Sequence, residues 1–281
     1  RIFGRDIQIL LRNLKIGIIG AGGTGSAVTE QLIRLGIGHL LIIDGDCFDA
    51  SNINRVYGSR VSDQDIPKVE IAERHAADIG IGTAVETVQK PIIYQSVFAR
   101  LRDCDIVFGC TDDEWGRSLL TRLAIYYFIP VFDMAAKVDP GDTVIRSIQG
   151  RVTTLIPSTA CLFCRGRISP ERIAAESIQF FDPEEATRRR KEGYVPGLED
   201  PAPAVIALTT AVASSAVVEL LHRLTGCLGN DRQSSEVLHL FDQTRIGTNS
   251  RPPLEGCFCS DSYYWGRGDT TPLMDTTWSK E

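Results

Sequence analysis

The first half of the chain alternates short apolar runs with longer amphipathic segments. An apolar run of about 4–8 residues bounded by turn residues is typical of a buried strand, whereas apolar positions three and four apart indicate a helix. The predicted strands are "KIGIIG", "HLLIID", "AVETVQ", "DIVFGC" and "PVFDMAA", and the predicted helices between them are "SAVTEQLIRLG", "PKVEIAERHAADIG", "SVFARLRDC" and "EWGRSLLTRLAIYYF". The alternation predicts a Rossmann-like, doubly wound α/β fold with a mostly parallel sheet. The second helix opens at Pro67, which we expect in its first turn.

The pattern changes in the second half. "DTVIRSI" and "RVTTLIP" predict two antiparallel strands joined by a turn at Gln149 and Gly150. Residues 165–203 are charged and irregular, which predicts a surface excursion containing one helix. "AVIALTTAVASSAVVELLHRL" then predicts a buried helix and "EVLHLFD" a late strand. The parallel sheet is therefore expected to continue into antiparallel strands.

Composition limits the class of protein. The 281 residues are 43% hydrophobic and 23% charged, which is ordinary for a soluble globular protein. The formal net charge is −6, which disfavours nucleic acid and anionic membranes as partners. No apolar run approaches the ~20 residues that span a bilayer, and no signal peptide is visible, so we expect a cytoplasmic location.

A glycine-rich turn lies between the first strand and the first helix of the alternation. In "GAGGTGS", Gly20, Gly22 and Gly25 fit the G-x-G-x-x-G pattern. Glycines allow backbone N–H groups to approach phosphate closely, and a helix N-terminus favours negative charge. Asp44 or Asp46, at the end of the next strand, is placed to hold ribose hydroxyls. The turn predicts nucleotide binding without specifying the nucleotide.

The residues that follow favour a triphosphate. Asn52, Asn54, Arg55 and Lys68 gather hydrogen-bond donors and positive charge just after the ribose carboxylate. This is more positive charge than the single pyrophosphate of NAD requires, and it suits a triphosphate.

Two carboxylates follow the fourth strand, at the sheet edge where ligands of doubly wound folds bind. They are Asp112 and Asp113 of "CTDDEWGR". Mg²⁺ takes one or two carboxylates together with phosphate oxygens, so Asp112 is a candidate magnesium ligand. The alternative is that Asp112 caps the helix that begins next.

In their order, these motifs resemble the MoeB/ThiF/HesA family, the adenylyltransferases related to ubiquitin-activating enzymes. The matching pieces are "FGRDI", "GAGGTGS", "IDGD", "SNINR", "PKVE", "CTDD", "CLFC" and a C-terminal cysteine pair, and they cover nearly the whole chain. The resemblance implies ATP- and Mg²⁺-dependent adenylation of the C-terminal glycine of a ubiquitin-like or sulfur-carrier protein that ends in Gly-Gly.

The resemblance also assigns roles by position. Gly20, Gly22, Gly23 and Gly25 would approach the nucleotide. Asp46 would hold the ribose, Asn54, Arg55 and Lys68 would contact the phosphates, and Asp112 would hold Mg²⁺. Asp44 and Asn52 complete the predicted nucleotide site.

Arg5 matches an arginine that family members insert into the neighbouring subunit's ATP site. The resemblance therefore implies a homodimer in which Arg5 is a catalytic residue. Family members often carry a basic residue near the position of Arg117, which makes Arg117 a candidate for a site role.

Four of the eight cysteines form two pairs. Cys161 and Cys164 have the C-x-x-C spacing of a zinc half-site, and Cys257 and Cys259 form C-x-C where the family commonly has C-x-x-C. Four thiolates would hold a structural zinc that pins the tail to the domain. Buried free thiols or a redox pair are the alternatives.

The sequence departs from many relatives in one respect. They carry a thioester-forming cysteine in the excursion, whereas no cysteine lies between Cys164 and Cys227 here, and Cys227 is expected to pack. An internal thioester is therefore doubtful, and the adenylate is expected to pass to another protein, such as a conjugating enzyme or a sulfur donor. The alternatives are a non-catalytic scaffold subunit, adenylation of a peptide or tRNA, and, disfavoured, a nicotinamide dehydrogenase.

The predicted organisation is a single adenylation domain over residues 1–281. Its parts are an N-terminal arm (1–14), a nucleotide-binding core (15–164), a crossover excursion (165–203), a buried helix with the late strand (204–242) and a tail (243–281).

Overall fold

A single mixed sheet organises the chain. The computed structural model describes residues 4–139, 145–191, 205–229 and 234–269. Within these ranges the sheet has eight strands in the order β3-β2-β1-β4-β5-β6-β7-β8. The strands are β1 (Lys15–Ile19), β2 (His39–Ile43), β3 (Ala84–Val88), β4 (Ile106–Gly109), β5 (Val131–Asp139), β6 (Ser147–Leu155), β7 (Glu236–Leu240) and β8 (Arg245–Asn249).

Helices cover both faces of the sheet. The α-helices of the described ranges are α1 (Gly4–Asn13), α2 (Gly23–Leu35), α3 (Lys68–Ile79), α4 (Gln95–Arg100), α5 (Glu114–Tyr126), α6 (Pro170–Phe181), α7 (Pro183–Lys191) and α8 (Ile206–Thr225). None of them is both long and apolar enough to span a bilayer.

The predicted doubly wound sheet is confirmed. Strands β1 to β5 pair in parallel, and β6, β7 and β8 continue the sheet antiparallel. Neighbouring residues on β2 face opposite cores, since Leu41 packs in one hydrophobic cluster and Leu40 and Ile42 pack in the other. A strand covered by helices on both faces reads as a continuous apolar run, which is why the sequence pattern located these strands.

The predicted turn at Gln149 and Gly150 is wrong. Both residues lie inside β6, which pairs antiparallel with β5 over its whole length. A Cβ at Gly150 would lie 2.4 Å from Cγ2 of Val212 on α8 and 3.0 Å from the ring of Phe241. The glycine therefore permits close packing of α8 on the strand, and it mimics a turn signal in the sequence.

The excursion is more regular than predicted. Two helices, α6 and α7, occupy its first part, and residues 192–203 lie outside the described residues. Ser169 caps α6 by accepting a hydrogen bond from the backbone N–H of Arg172, and Pro170 follows in the first turn. These start signals are local and explain why α6 forms within a charged segment.

Three smaller expectations are corrected. Pro67 is the N-cap residue of α3 and precedes its first turn. The tail contributes β8 to the sheet, where β8 pairs with β7 as an edge strand. Cys227, which we expected to pack, is exposed after the end of α8.

Candidate functional site

A cleft of about 710 Å³ opens at the carboxyl ends of the parallel strands. The glycine turn after β1, the loop after β2 and the loop after β4 form three of its sides, and α6 and α8 contribute to the rim. Ligands of doubly wound sheets bind at this edge. Among the predicted site residues, the cleft is lined by Gly20, Gly22, Gly23, Asp44, Asp46, Arg55, Lys68, Asp112 and the candidate Arg117.

The glycine turn brings the start of α2 against β1 and β4. A Cβ at Gly25 would lie 1.8 Å from the carbonyl oxygen of Gly20, so only glycine lets the helix begin this close to the strand. Gly20 has φ +94° and faces the backbone of Cys110, where a Cβ would also clash. Gly22 is the N-cap of α2 and supplies no side-chain cap. The first N–H groups of α2 therefore have no side-chain cap, and they line the cleft, where they could donate hydrogen bonds to an anion.

The two candidate ribose carboxylates differ in their surroundings. Asp44 accepts hydrogen bonds from the backbone N–H of Ala21 at 2.6 Å and of Asp46 at 2.7 Å, so both of its oxygens hold the loop together. Burial raises the pKa of Asp44. Asp46 is exposed, and its carboxylate pairs with the ammonium of Lys68 at 2.8 Å. Of the two carboxylates, Asp46 is the one open to a ligand.

Two of the cations that line the cleft, Lys68 and Arg55, come from different parts of the chain. Lys68 begins α3, and only 13% of its side chain is exposed. Arg55 donates from Nη1 to the carbonyl oxygen of Ser51 at 2.8 Å, and no carboxylate pairs with it in the described ranges. A Cβ at Gly23 would lie 3.2 Å from Cγ and Cδ of Arg55, so the glycine makes room for the arginine to lie across the turn.

Four residues predicted for the nucleotide site do not line this cleft. Asn52 is buried, and its amide donates to Oγ of Ser51 at 3.3 Å. Asn54 is exposed and accepts a long contact of 3.4 Å from Nη1 of Arg55. Arg5 lies on the exposed face of α1, beside a separate depression of about 480 Å³. Gly25 is also absent from the lining, because its part is to position α2.

The loop after β4 separates the roles of its two aspartates. Asp113 is the N-cap of α5 and accepts hydrogen bonds from the backbone N–H of Gly116 and from the hydroxyl of Thr111. The alternative that Asp112 caps this helix is therefore wrong. Asp112 is exposed in the cleft, and no described residue makes a hydrogen bond to its carboxylate. A carboxylate without a hydrogen bond from a described residue, beside the glycine turn, fits the needs of Mg²⁺.

The sequence analysis missed several cleft residues. Lys90 follows β3 and lies 5.7 Å from the ring centroid of Tyr94. Glu176 of α6 accepts hydrogen bonds from the backbone N–H of Glu114 at 3.0 Å and of Trp115 at 2.7 Å. Burial raises the pKa of Glu176. Lys90 could have been predicted from the sequence, because it follows a parallel strand, whereas no local pattern around Glu176 indicates a place in the cleft.

The four paired cysteines converge. Their sulfur atoms all lie within 4.8 Å of one another, with Sγ–Sγ distances of 3.7 Å for Cys161–Cys164, 3.6 Å for Cys161–Cys257, and 3.5 Å for Cys164–Cys259 and Cys257–Cys259. Tetrahedral zinc with Zn–S bonds of ~2.3 Å requires sulfur atoms roughly 3.8 Å apart. The cluster is therefore compatible with zinc, and the short C-x-C spacing does not prevent convergence.

The electrostatics of the cluster favour a thiolate. Hydrogen bonds from the neighbouring thiols, above all that of Cys259, lower the pKa of Cys161 to about 5. A further donor is the backbone N–H of Leu254, 3.3 Å from the sulfur of Cys164. Burial raises the pKa of Cys257, and the contact with Cys161 raises the pKa of Cys259. The cluster by itself therefore favours one thiolate, whereas zinc ligation requires the deprotonated form of all four.

Comparison with known proteins gives consistent matches. The ThiF family matches residues 1–257. The chain is 31% identical to the adenylyltransferase and sulfurtransferase UBA4 of Yarrowia lipolytica over 163 residues, 57% of this chain and 39% of that protein. It is 27% identical to the SAMP-activating enzyme E1 of Haloferax volcanii over 168 residues, 60% and 59% of the two chains. It is 29% identical to the sulfur carrier protein ThiS adenylyltransferase of Bacillus subtilis over 164 residues, 57% and 46%.

Solved structures share the fold. The crystal structure of E. coli MccB with ATP superposes with a TM-score of 0.68 at 15% identity, covering 91% of this chain and 69% of that one. The crystal structure of PaaA gives 0.59 at 21% identity, covering 86% and 74%. The matched regions make up between 39% and 59% of the three relatives named above.

Proposed function

Because this chain belongs to the ThiF family, we propose that it uses ATP and Mg²⁺ to adenylate the C-terminal glycine of a ubiquitin-like or sulfur-carrier protein. One observation carries the proposal. A single cleft holds an N-terminal helix end without a side-chain cap, two cations and an unengaged carboxylate, contributed by Gly22, Lys68, Arg55 and Asp112. The three relatives named above are an adenylyltransferase and sulfurtransferase, an activating enzyme and a sulfur-carrier-protein adenylyltransferase, which supports this proposal.

The chain's own residues would bind and orient the nucleotide. The N–H groups at the start of α2 would donate hydrogen bonds to phosphate oxygens, and Arg55 and Lys68 would neutralise the negative charge of the phosphates. Asp46 would accept hydrogen bonds from the ribose, since it is exposed at the end of β2. Asn54 would have to approach the phosphates from the rim, because it does not line the cleft.

Asp112 would hold Mg²⁺, and the bound ion would neutralise charge on the phosphates as pyrophosphate leaves. The geometry suits this role because Asp113 already serves as the helix cap. Asp112 therefore need not give up an intramolecular contact with a described residue to bind a metal.

The reaction is chemically simple. A carboxylate oxygen of the terminal glycine attacks the α-phosphorus of ATP, the bond to the β-phosphate oxygen breaks, and pyrophosphate leaves with that electron pair. The product is an acyl-adenylate, whose acyl carbon is open to attack by a thiol or an amine. The protein positions two anions and offsets their repulsion, which is the role of Arg55 and Lys68.

The cysteine cluster would hold a structural zinc. Four thiolates fill a tetrahedral site and leave no open position for chemistry. The cluster joins the loop after β6 to the tail, since Cys161 and Cys164 belong to the first and Cys257 and Cys259 to the second. We therefore expect bound zinc to stabilise the packing of the tail against the domain.

We also propose a homodimer to which Arg5 contributes. Arg5 is exposed on α1 and lies outside its own subunit's cleft, as expected of a residue that acts in a neighbouring subunit. The acyl group would then pass to a thiol, a sulfur donor or an amine on another protein, because residues 165–226 contain no cysteine.

The decisive experiment is ATP–pyrophosphate exchange in the presence of Mg²⁺. Carrier proteins that end in Gly-Gly and are encoded near this gene are added one at a time. We expect exchange with one carrier, and we expect its loss when that carrier's last glycine is removed. Absence of exchange with every carrier, although ATP binds, would contradict the proposed substrate class.

A further inference from the structure

A fully buried carboxylate lies directly behind the cleft. Asp133 on β5 has no exposed surface, and two arginines approach it from different elements. Nη1 of Arg151, on β6, lies 2.6 Å from Oδ2 of Asp133. Nε of Arg117, on α5, lies 3.4 Å from Oδ1. Arg117 lines the cleft and Asp133 does not, so Asp133 can reach a ligand only through the arginine.

The fold makes room for this carboxylate. Asp133 pairs across the parallel sheet with Gly109, the last residue of β4. A Cβ at Gly109 would lie 2.8 Å from the side chain of Leu120 and 3.6 Å from Oδ1 of Asp133. The missing side chain leaves space for a charged group beneath the first turns of α5, where Arg117 is located.

The charged group is the end of a longer buried network. Nη1 of Arg151 donates to the hydroxyl of Thr153 at 2.9 Å, and that hydroxyl donates to Oε1 of Glu236 at 3.1 Å. Glu236 is buried, and its Oε2 also forms ion pairs with Nη1 of Arg165 at 3.3 Å and Nη2 of Arg167 at 3.2 Å. The network therefore runs from the cleft to the segment that follows the first cysteine pair.

Positive charge is in excess along this network. Its arginines are Arg117, Arg151, Arg165 and Arg167, and its carboxylates are Asp133 and Glu236. Buried charges are screened less than exposed ones, so the excess favours an anion in front of Arg117.

The contact between Arg117 and Asp133 is incomplete. Nε of Arg117 and Oδ1 of Asp133 are both buried, and neither makes a hydrogen bond within the described ranges. Nη2 of Arg117 donates to the carbonyl oxygen of Met134 at 3.3 Å, which is also long. A buried donor and acceptor left this way call for an explanation, and hydrogen bonds in active sites often tighten when a ligand binds.

We propose that Asp133 is a positioning residue, which holds the guanidinium of Arg117 at the cleft wall so that Arg117 binds a phosphate of the nucleotide. Arg151 compensates the charge of Asp133 at the other carboxylate oxygen, Oδ2. The inference rests on the proposed function, because it takes the ligand of the cleft to be ATP.

The test measures the affinity of two ligands, MgATP and adenosine, by calorimetry. Adenosine lacks phosphates, so a variant that only distorts the cleft weakens both ligands, whereas loss of a phosphate contact weakens MgATP alone. We expect Arg117→Met to weaken MgATP by about tenfold and Asp133→Asn to weaken it by a smaller factor. Both variants should keep the affinity of the wild type for adenosine.

A double variant tests whether Asp133 acts through Arg117. If it does, Arg117→Met combined with Asp133→Asn binds MgATP no more weakly than Arg117→Met alone, since coupled residues are not additive. Two multiplied effects, or a wild-type affinity in Asp133→Asn, would overturn the inference. Thr154→Val is the matched control, because Thr154 on β6 is buried like Asp133 and its side chain takes part in none of the network's contacts described above.

Folding of the variants is measured by thermal unfolding. Asp133→Asn leaves Arg151 without its charge partner, so Asp133→Asn with Arg151→Met is the second variant and restores the charge balance. It should show the same selective loss of MgATP affinity. Wild-type protein that binds no MgATP would overturn the proposed function and this inference together, whereas normal MgATP binding by the second variant would overturn this inference alone.

Discussion

The ammonium of Lys68 lies 2.8 Å from Oδ2 of Asp46, and the backbone N–H of Lys68 donates to the carbonyl oxygen of the same aspartate at 3.1 Å. This pair fixes the start of α3 against the loop after β2. The lysine is mostly buried and the carboxylate is exposed. Two residues proposed to bind different parts of one nucleotide are therefore held side by side before the ligand arrives, which lowers the entropic cost of ordering them.

Removing the lysine should weaken nucleotide binding. We expect Lys68→Met to raise the dissociation constant of MgATP by about tenfold or more, because a charge-assisted contact to phosphate is lost. The fold should persist, since Met retains most of the apolar side chain. Calorimetric titration measures the effect. Lys15→Met is the control, because Lys15 pairs with Glu86 at the opposite end of the strands. An unchanged affinity in Lys68→Met would remove the lysine from the site.

The two aspartates after β4 should separate catalysis from stability. Asp112→Ala is expected to abolish Mg²⁺-dependent pyrophosphate exchange with the thermal midpoint unchanged. Asp113→Ala is expected to destabilise the protein by about 1 kcal/mol, the usual effect of losing a helix N-cap. Exchange assays and thermal unfolding of both variants test the division. Retained exchange in Asp112→Ala would contradict its assignment as a magnesium ligand.

The cysteine cluster should hold one zinc per chain. We expect elemental analysis to find it in the wild type and to find it lost in Cys164→Ser. Loss of the zinc should reduce the free energy of unfolding by a few kcal/mol. Because each kcal/mol shifts the thermal midpoint by about 2–4 °C, the midpoint should fall by on the order of 10 °C. Cys227→Ser is the control, because Cys227 is exposed away from the cluster. Equal zinc content in both variants would exclude the cluster as the site.

Two glycines of the antiparallel part of the sheet, on β6 and β8, should respond differently to the same change. Gly150→Ala is expected to cost about 1–3 kcal/mol, because the new methyl would meet the side chain of Val212 on α8. Gly247→Ala on β8 should be nearly neutral, since nothing lies within 4 Å of a Cβ there. Chemical denaturation of both variants measures the difference. Similar stabilities would mean that α8 can shift to accommodate the methyl.

Local signals were sufficient for much of the fold. The glycine turn and the apolar strands are read from neighbours in the chain, and the structure has them as predicted. Signals failed where a distant element decided the outcome. Gly150 reads as a turn residue, but its reason is the contact with Val212 on α8.

The sequence by itself determined the parallel core, the glycine turn and the family resemblance, because each depends on residue type and order over short spans. Only the tertiary structure decided which aspartate caps α5 and that Asp44 serves the loop while Asp46 stays open. It alone brought Asp133 beneath Arg117. These outcomes depend on distances between residues far apart in the chain, and a pattern of neighbours carries no information about them.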